Sequence, residues 1–190
     1  MRILIISQYF WPENFRVNEL SEELNKLGHK VTILTGYPNY PSGKIFEEFK
    51  KDKSKFYKYK GSEIIRVPLL PRKNNKFNLL LNYVSFLITS IILGYFKMLG
   101  RNFDIIFTFQ LSPVTIGITS TFFSFIKNCP NIFWVLDLWP DTLVALKVLK
   151  REWQIKLFKI LINWIYSNCD IILAQSKSIL KELKNYSSIK

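Results

Sequence analysis

Short apolar runs alternate along this chain with segments of helical spacing, and this alternation restricts the architecture more than any other feature. Residues 3–7, "ILIIS", are apolar on both sides, the pattern of a strand buried on two faces. Val17, Leu20, Leu24 and Leu27 then recur at helical intervals, and Gly28 supplies the stop. Residues 31–35 read as a second strand. Strand, helix and strand within so few residues is the length a parallel crossover needs. The pattern continues with strands at 63–67, 104–109, 132–137 and 171–175. Helices are expected at 77–99, 114–126, 152–167 and 176–185, the last capped by Ser176. The predicted fold class is α/β, a doubly wound, Rossmann-like parallel sheet. In the helix at 152–167, Trp153, Leu157, Ile160, Leu161 and Trp164 are expected to face the sheet, with Glu152, Lys156, Lys159 and Asn163 outward.

A length of 190 residues suits one domain with a substantial core. With 48% hydrophobic residues the chain is not disordered, and its net charge of +13 favours an anionic partner. Cys129 and Cys169 stand apart with no histidine cluster, so a zinc site is not expected and the thiols read as free in a reducing compartment. The apolar start is too short for a secretory signal.

Ligands of such sheets bind beyond the carboxyl ends of the strands. The loops to inspect are therefore 8–16 (QYFWPENFR), 36–43 (GYPNYPSG), 110–113 (QLSP) and the turn after "FWVLDLWPDT" at 133–142. Each mixes aromatic rings with a few hydrogen-bonding groups, as carbohydrate and nucleotide clefts do. There is no Walker A loop, no Gly-x-Gly-x-x-Gly after the first strand and no serine nucleophile elbow. His29, the only histidine, falls in a helix-to-strand turn away from those loops, where a structural role is expected.

Three segments, "SQYFWPENFRVNEL", "LGHKVTILTGYPNYPSGK" and "VLDLWPD", occur in that order and resemble the N-terminal half of glycosyltransferase family 4. The nearest group resembles bacterial L-fucosamine transferases of O-antigen and capsule synthesis. The resemblance implies a GT-B enzyme of two Rossmann-like domains, of which residues 1–190 are the acceptor-binding one and the donor-binding domain is absent. It implies retaining transfer from a UDP-sugar to a polyprenyl-diphosphate-linked saccharide, with no metal ion and no cofactor, at the inner face of the cytoplasmic membrane. The chain alone would then be incomplete and inactive. Two positions depart from the family pattern. Pro12 to Arg16 replace a glycine pair, and Leu136 stands where many relatives have histidine.

Asp137 matches the family's acidic position and is the candidate catalytic residue, with a turn-capping role as the alternative. Candidate substrate contacts are Glu13, Asn14, Arg16, Asn39, Tyr40, Trp139 and Asp141. Arg16 is placed to meet a phosphate near a helix start, Trp139 to stack on a sugar face; surface, turn, capping and core roles are the plainer readings.

Residues 44–60, "KIFEEFKKDKSKFYKYK", interleave lysines with aromatic rings. Contact with an anionic membrane is expected through Lys50, Lys51, Lys53, Lys55, Phe56 and Lys58, in preference to nucleic acid; a solvated loop is the alternative. The uncharged stretch 77–96 has the length of a membrane span, yet Asn78, Asn82, Ser85 and Thr89 draw a polar stripe along it and a crossover helix is needed there, so a helix buried in the fold or lying partly in a membrane interface is expected in preference to a span. A non-catalytic membrane-docked module pairing with a separate half, or a single-pass membrane protein, are the other functional readings.

Overall fold

The computed structural model describes residues 1–72, 76–145 and 147–186. The strands are β1 (Arg2–Ile6), β2 (Lys30–Gly36), β3 (Lys58–Tyr59), β4 (Ser62–Val67), β5 (Ile105–Gln110), β6 (Asn131–Val135) and β7 (Ile171–Ala174). The helices are α1 (Arg16–Lys26), α2 (Glu47–Lys51), α3 (Lys76–Lys97), α4 (Ile116–Lys127), α5 (Asp141–Ala145), α6 (Glu152–Ser167) and α7 (Lys177–Leu183). The described strands form one sheet in the order β3-β4-β2-β1-β5-β6-β7, parallel except for the short edge strand β3. The expected doubly wound α/β fold is thus the observed one.

Alternation along β1 divides the core in two. Leu4 and Ile6 face a large cluster with Leu34, Phe86, Phe123 and Phe133, roofed by α3, α4, α6 and α7. Ile3 and Ile5 face a smaller cluster with Val17, Val31 and Ile33 beneath α1. α1 ends where Gly28 adopts φ +82°, a backbone state that glycine enters without strain. The Ser176 hydroxyl accepts from the Ile179 amide at 3.2 Å, the expected cap of α7.

α3 is a crossover helix packed on the sheet. Asn82, Phe86, Ser90 and Met98 are buried at four- or eight-residue intervals, and the Ser90 hydroxyl pairs with that of Thr119 on α4 at 2.9 Å. Gly117 on α4 lies so close to Ile165 and Phe133 that a methyl group there would clash with Ile165. α6 corrects the sequence reading. Its buried residues are Ile162, Ile165 and Tyr166, while Trp153, Leu157, Ile160 and Trp164 are exposed.

The segment 44–60 is also folded, as α2, a 3-10 turn at Ser54–Phe56 and β3. Phe49 and Phe56 are buried, with ring centroids 5.5 Å apart, and the Trp11 ring packs at a tilt 5.2 Å from Phe56. The expectation of a membrane-facing Phe56 is therefore corrected: apolar rings here have a core to join, and they turn inward.

Candidate functional site

All the parallel strands deliver their carboxyl ends to one edge of the sheet. The chain departs from β1 toward β2 on one side and returns to β5 on the other, so a crevice opens between the β1 and β5 ends. The loops after β1, β2, β5 and β6 meet around it.

The loops after β1 and β2 are joined through Glu13. Its buried carboxylate accepts from the amides of Asn39 at 2.8 Å, Tyr40 at 2.7 Å and Phe10 at 3.2 Å. Burial raises its pKa to about 7, and the three N–H donors oppose that rise. Asn18 supports the same loop, its side-chain oxygen accepting from the Trp11 amide and its nitrogen donating to the Glu13 carbonyl.

Arg66, at the end of β4, is buried behind them. It donates to the carbonyls of Phe56 at 3.0 Å, Gly36 at 2.9 Å and Trp11. Burial lowers its pKa to about 10, and the nearby charge of Glu13 resists this. One guanidinium therefore ties three connections together. Nothing in the local sequence distinguishes Arg66 from a surface arginine, and it was missed for that reason.

Above this base lies an aromatic cluster. Tyr9 stacks on Phe15 at 5.4 Å, Tyr40 packs against both, and the Arg72 guanidinium sits 5.3 Å above the Tyr40 ring. Arg72 also reaches the Tyr9 hydroxyl and acts electrostatically on Tyr83. Burial raises the pKa of Tyr9 and Tyr83, so both hydroxyls stay protonated at neutral pH. Gln8 donates to Asn82 on α3 at 2.6 Å, and Asn82 donates to the Leu70 carbonyl at 2.6 Å. Arg72 and Tyr83 carry no motif at the sequence level, and Asn82 shows there only as one position of a polar stripe; the seating of α3 brings them to the rim.

The other half of the rim is reached through Tyr83, whose hydroxyl lies 3.1 Å from that of Ser112 and whose ring meets Trp139 edge-on at 6.3 Å. Gln110, fully buried at the end of β5, donates to the Asp137 carbonyl at 3.1 Å and accepts from the Leu136 amide at 3.3 Å. Asp137 is half-buried. One carboxylate oxygen accepts from the Trp139 indole at 2.9 Å, the other from the Thr142 hydroxyl at 2.6 Å. A carboxylate has about four lone-pair positions, so room remains for a further donor.

The structure brings Glu13, Asn39, Tyr40 and Asp137 to the same edge, but with different exposure. Glu13 and Asn39 are buried and shape the rim from within. Tyr40 is exposed on it. Asn14 and Arg16 are exposed at the start of α1. Trp139 is 4% exposed, enclosed by Tyr83 and by Phe158 at 5.9 Å; its ring belongs to the core and offers no face to a sugar, which corrects the stacking expectation. Asp141 opens α5 and lines a cleft of about 410 Å³ between α6 and α7, away from the β1–β5 crevice. His29 lies at the opposite edge, 3.4 Å from the amino terminus. Among the described residues, no group of three or more metal-ligating side chains occurs.

The fold has counterparts among solved structures. Sucrose-phosphate synthase from Thermosynechococcus elongatus superposes with a TM-score of 0.61 at 16% identity, over 97% of this chain and 45% of that one. Anabaena Alr3699/HepE, solved in complex with UDP and glucose, gives 0.53 at 10% identity over 98% and 41%. The calicheamicin glycosyltransferase CalG4 gives 0.50 at 13% identity over 96% and 43%. The chain thus spans less than half the length of each. No curated protein matches it in sequence. The family model for Glycosyltransferase Family 4 matches residues 14–190, nearly the whole chain. With a sheet that resembles the GT-B glycosyltransferase domain and a sequence that fits the family from the first helix onward, the chain belongs to Glycosyltransferase Family 4.

Proposed function

We propose that this chain is the acceptor-binding half of a two-domain enzyme that transfers a sugar from a UDP-sugar to a lipid-linked saccharide. The observation that carries the reading is one rim on which the exposed Tyr40 and the half-buried Tyr83 and Asp137 stand over the buried supports Glu13 and Tyr9, with a guanidinium above Tyr40. The exposed Tyr40 ring and the Tyr83 hydroxyl suit a saccharide, and Arg72 suits a diphosphate. Family membership supports sugar transfer, and the presence of UDP and glucose in the HepE complex supports a nucleotide-sugar donor. In that enzyme a second domain holds most of the donor.

Asp137 accepts the hydrogen bond of the acceptor hydroxyl and aims it, and the Thr142 and Trp139 contacts fix the carboxylate for that purpose. The acceptor oxygen forms its bond to the anomeric carbon as the bond to the UDP oxygen breaks. The proton passes to the departing diphosphate on the same face, which retains configuration. The pathway is surface polysaccharide synthesis of the O-antigen or capsule kind, with a polyprenyl diphosphate as carrier and L-fucosamine as one candidate sugar. The enzyme works at the cytoplasmic face of the membrane, where anionic lipids attract a chain of net charge +13.

Saturation-transfer NMR on the 190-residue chain tests this reading with two ligands, a short-chain prenyl-diphosphate saccharide and a UDP-sugar. Binding of the first with little of the second is the expected result. Binding of the UDP-sugar alone would overturn the assignment to the acceptor side.

A further inference from the structure

We propose that the outward side of the α3–α4–α6 layer is the surface by which this protein lies on an anionic bilayer. The inference rests on the membrane location given above and names the face responsible.

α3 is 22 residues long, about 33 Å, and bears no charge from Phe77 to Phe96. Only 22% of its most apolar stretch is buried. Opposite its packed side run Phe77, Leu80, Val84, Ile88, Ile92 and Phe96, exposed by 42 to 67%. α4 packs beside α3 and presents Phe125, 86% exposed. α6 packs beside α4 and presents Trp153, Leu157 and Trp164, each about half exposed. All three helices cover one face of the sheet, so their free sides point the same way. A contiguous apolar surface of this kind is not normal for a monomer in water.

Charge selects the occupant. No Asp or Glu occurs between Glu63 and Asp104, and none occurs on α4. Lys156 and Lys159 turn toward the cleft shared with Asp141 and Glu182, while Lys97, at the end of α3, and Lys150 and Arg151, just before α6, are exposed cations, against one exposed acid, Glu152. A second copy packed face to face would bring these cations toward one another, whereas anionic headgroups complement them. Tryptophan and tyrosine, present here as Trp153, Trp164 and Tyr95, suit the headgroup level. Because α3 is held against the sheet through Phe86, Ser90 and Met98, it lies in the membrane plane and does not span it. α3, α4 and α6 all begin at the strand carboxyl edge, so the rim stands beside the bilayer, where a lipid-linked headgroup is found.

The alternative surface, the lysines of 44–60, is less suited. Lys50 is paired with Glu47 at 2.7 Å, Lys53 covers the Tyr37 ring, and the phenyl rings of Phe49 and Phe56 are buried.

The test is flotation of the full 190-residue chain with phosphatidylcholine vesicles, with and without 30% phosphatidylglycerol. The wild type is expected to float with the anionic vesicles and far less with the neutral ones. Replacing Leu80, Ile88 and Phe96 together by serine, all at exposed positions, should cut partitioning by at least about tenfold with the circular dichroism spectrum unchanged. Replacing Lys50, Lys51 and Lys53 by glutamine should change it by less than about twofold. If the serine variant floats like the wild type and the glutamine variant does not, this face is refuted while the membrane reading stands. If the wild type floats with neither vesicle, the membrane location itself fails. A wild-type dimer in sedimentation that the serine variant abolishes would reassign the face to a second copy. Binding of a water-soluble diphosphate saccharide should be unaffected in both variants, which separates the docking surface from the site.

Discussion

Glu13 Oε1 lies 2.7 Å from the backbone nitrogen of Tyr40, so the loop after β1 grips the loop after β2 through a buried carboxylate. The grip has an electrostatic cost. Burial raises the Glu13 pKa from 4.5 to about 7, a displacement worth on the order of 3 kcal/mol. The folded state therefore holds this proton more tightly than the unfolded one. The stability it contributes is full below about pH 4.5 and is lost as pH rises through about 7. Glu13→Gln keeps an oxygen for the Asn39 and Tyr40 amides and cannot ionise. Urea denaturation from about pH 4 to about pH 8 should show the stability difference between variant and wild type shift in the variant's favour by about that amount. A pH-independent difference would mean that the carboxylate stays solvated.

Among the described residues, Arg66 has no carboxylate in direct contact and three carbonyl acceptors instead. Arg66→Met should fill most of the volume yet leave the oxygens of Phe56, Gly36 and Trp11 without their donor. An expected loss of about 3–5 kcal/mol follows from orphaning several buried polar groups at once. Arg66→Lys should recover part of it, since an ammonium can serve some but not all of the three directions. Chemical denaturation of the three proteins measures this. Equal stability of the methionine variant would show that water replaces the guanidinium readily.

Most strands and helices were legible in the sequence to within a residue or two, because parallel strands and crossover helices carry strong periodicity. The exceptions are instructive. α6 has apolar residues on all of its circumference except the side of Glu152, Lys156, Lys159 and Asn163, so Trp153, Leu157, Ile160 and Trp164 looked like an inner face when they form an outer one. Periodicity finds a stripe but cannot say which of two adjacent stripes the sheet accepts. The segment 44–60 looked like a loop because its anchors, Trp11, Tyr37 and Arg66, are remote in sequence. The site divided in the same way. Loop residues such as Glu13, Tyr40 and Asp137 could be assigned to one edge from strand order alone. Arg72, Asn82 and Tyr83 could not, since their place depends on how α3 seats against β4 and α4.

Asp137 has two separable roles, bracing its own turn and aiming an acceptor hydroxyl. Asp137→Asn keeps the shape and one acceptor oxygen, so its stability should fall by no more than about 1 kcal/mol. If the carboxylate acts on the acceptor, transfer by the two-domain enzyme should drop about 100-fold or more. Thr142→Val removes the 2.6 Å contact without touching the charge, and should lower transfer far less. Activity that merely tracks stability in both variants would restrict Asp137 to bracing the turn.

Arg72 supplies the sharpest test of the acceptor assignment, because its charge is held at the mouth of the crevice by the face of the Tyr40 ring and by a hydrogen bond to the Tyr9 hydroxyl. A guanidinium has five N–H donors, so others remain to meet a phosphate, and it can engage a diphosphate through two parallel hydrogen bonds. Arg72→Ala should weaken binding of a prenyl-diphosphate saccharide about tenfold or more, equivalent to one charge-assisted contact. Arg72→Lys should keep the charge, lose the paired geometry and fall between the two. The wild-type affinity should decrease with added salt and the alanine variant should respond less, because its principal phosphate contact is gone. A saccharide lacking the diphosphate should bind wild type and variant alike. If it is the sugar, not the diphosphate, whose binding depends on Arg72, then the guanidinium stacks on or hydrogen-bonds the saccharide and the carrier phosphate must be held elsewhere.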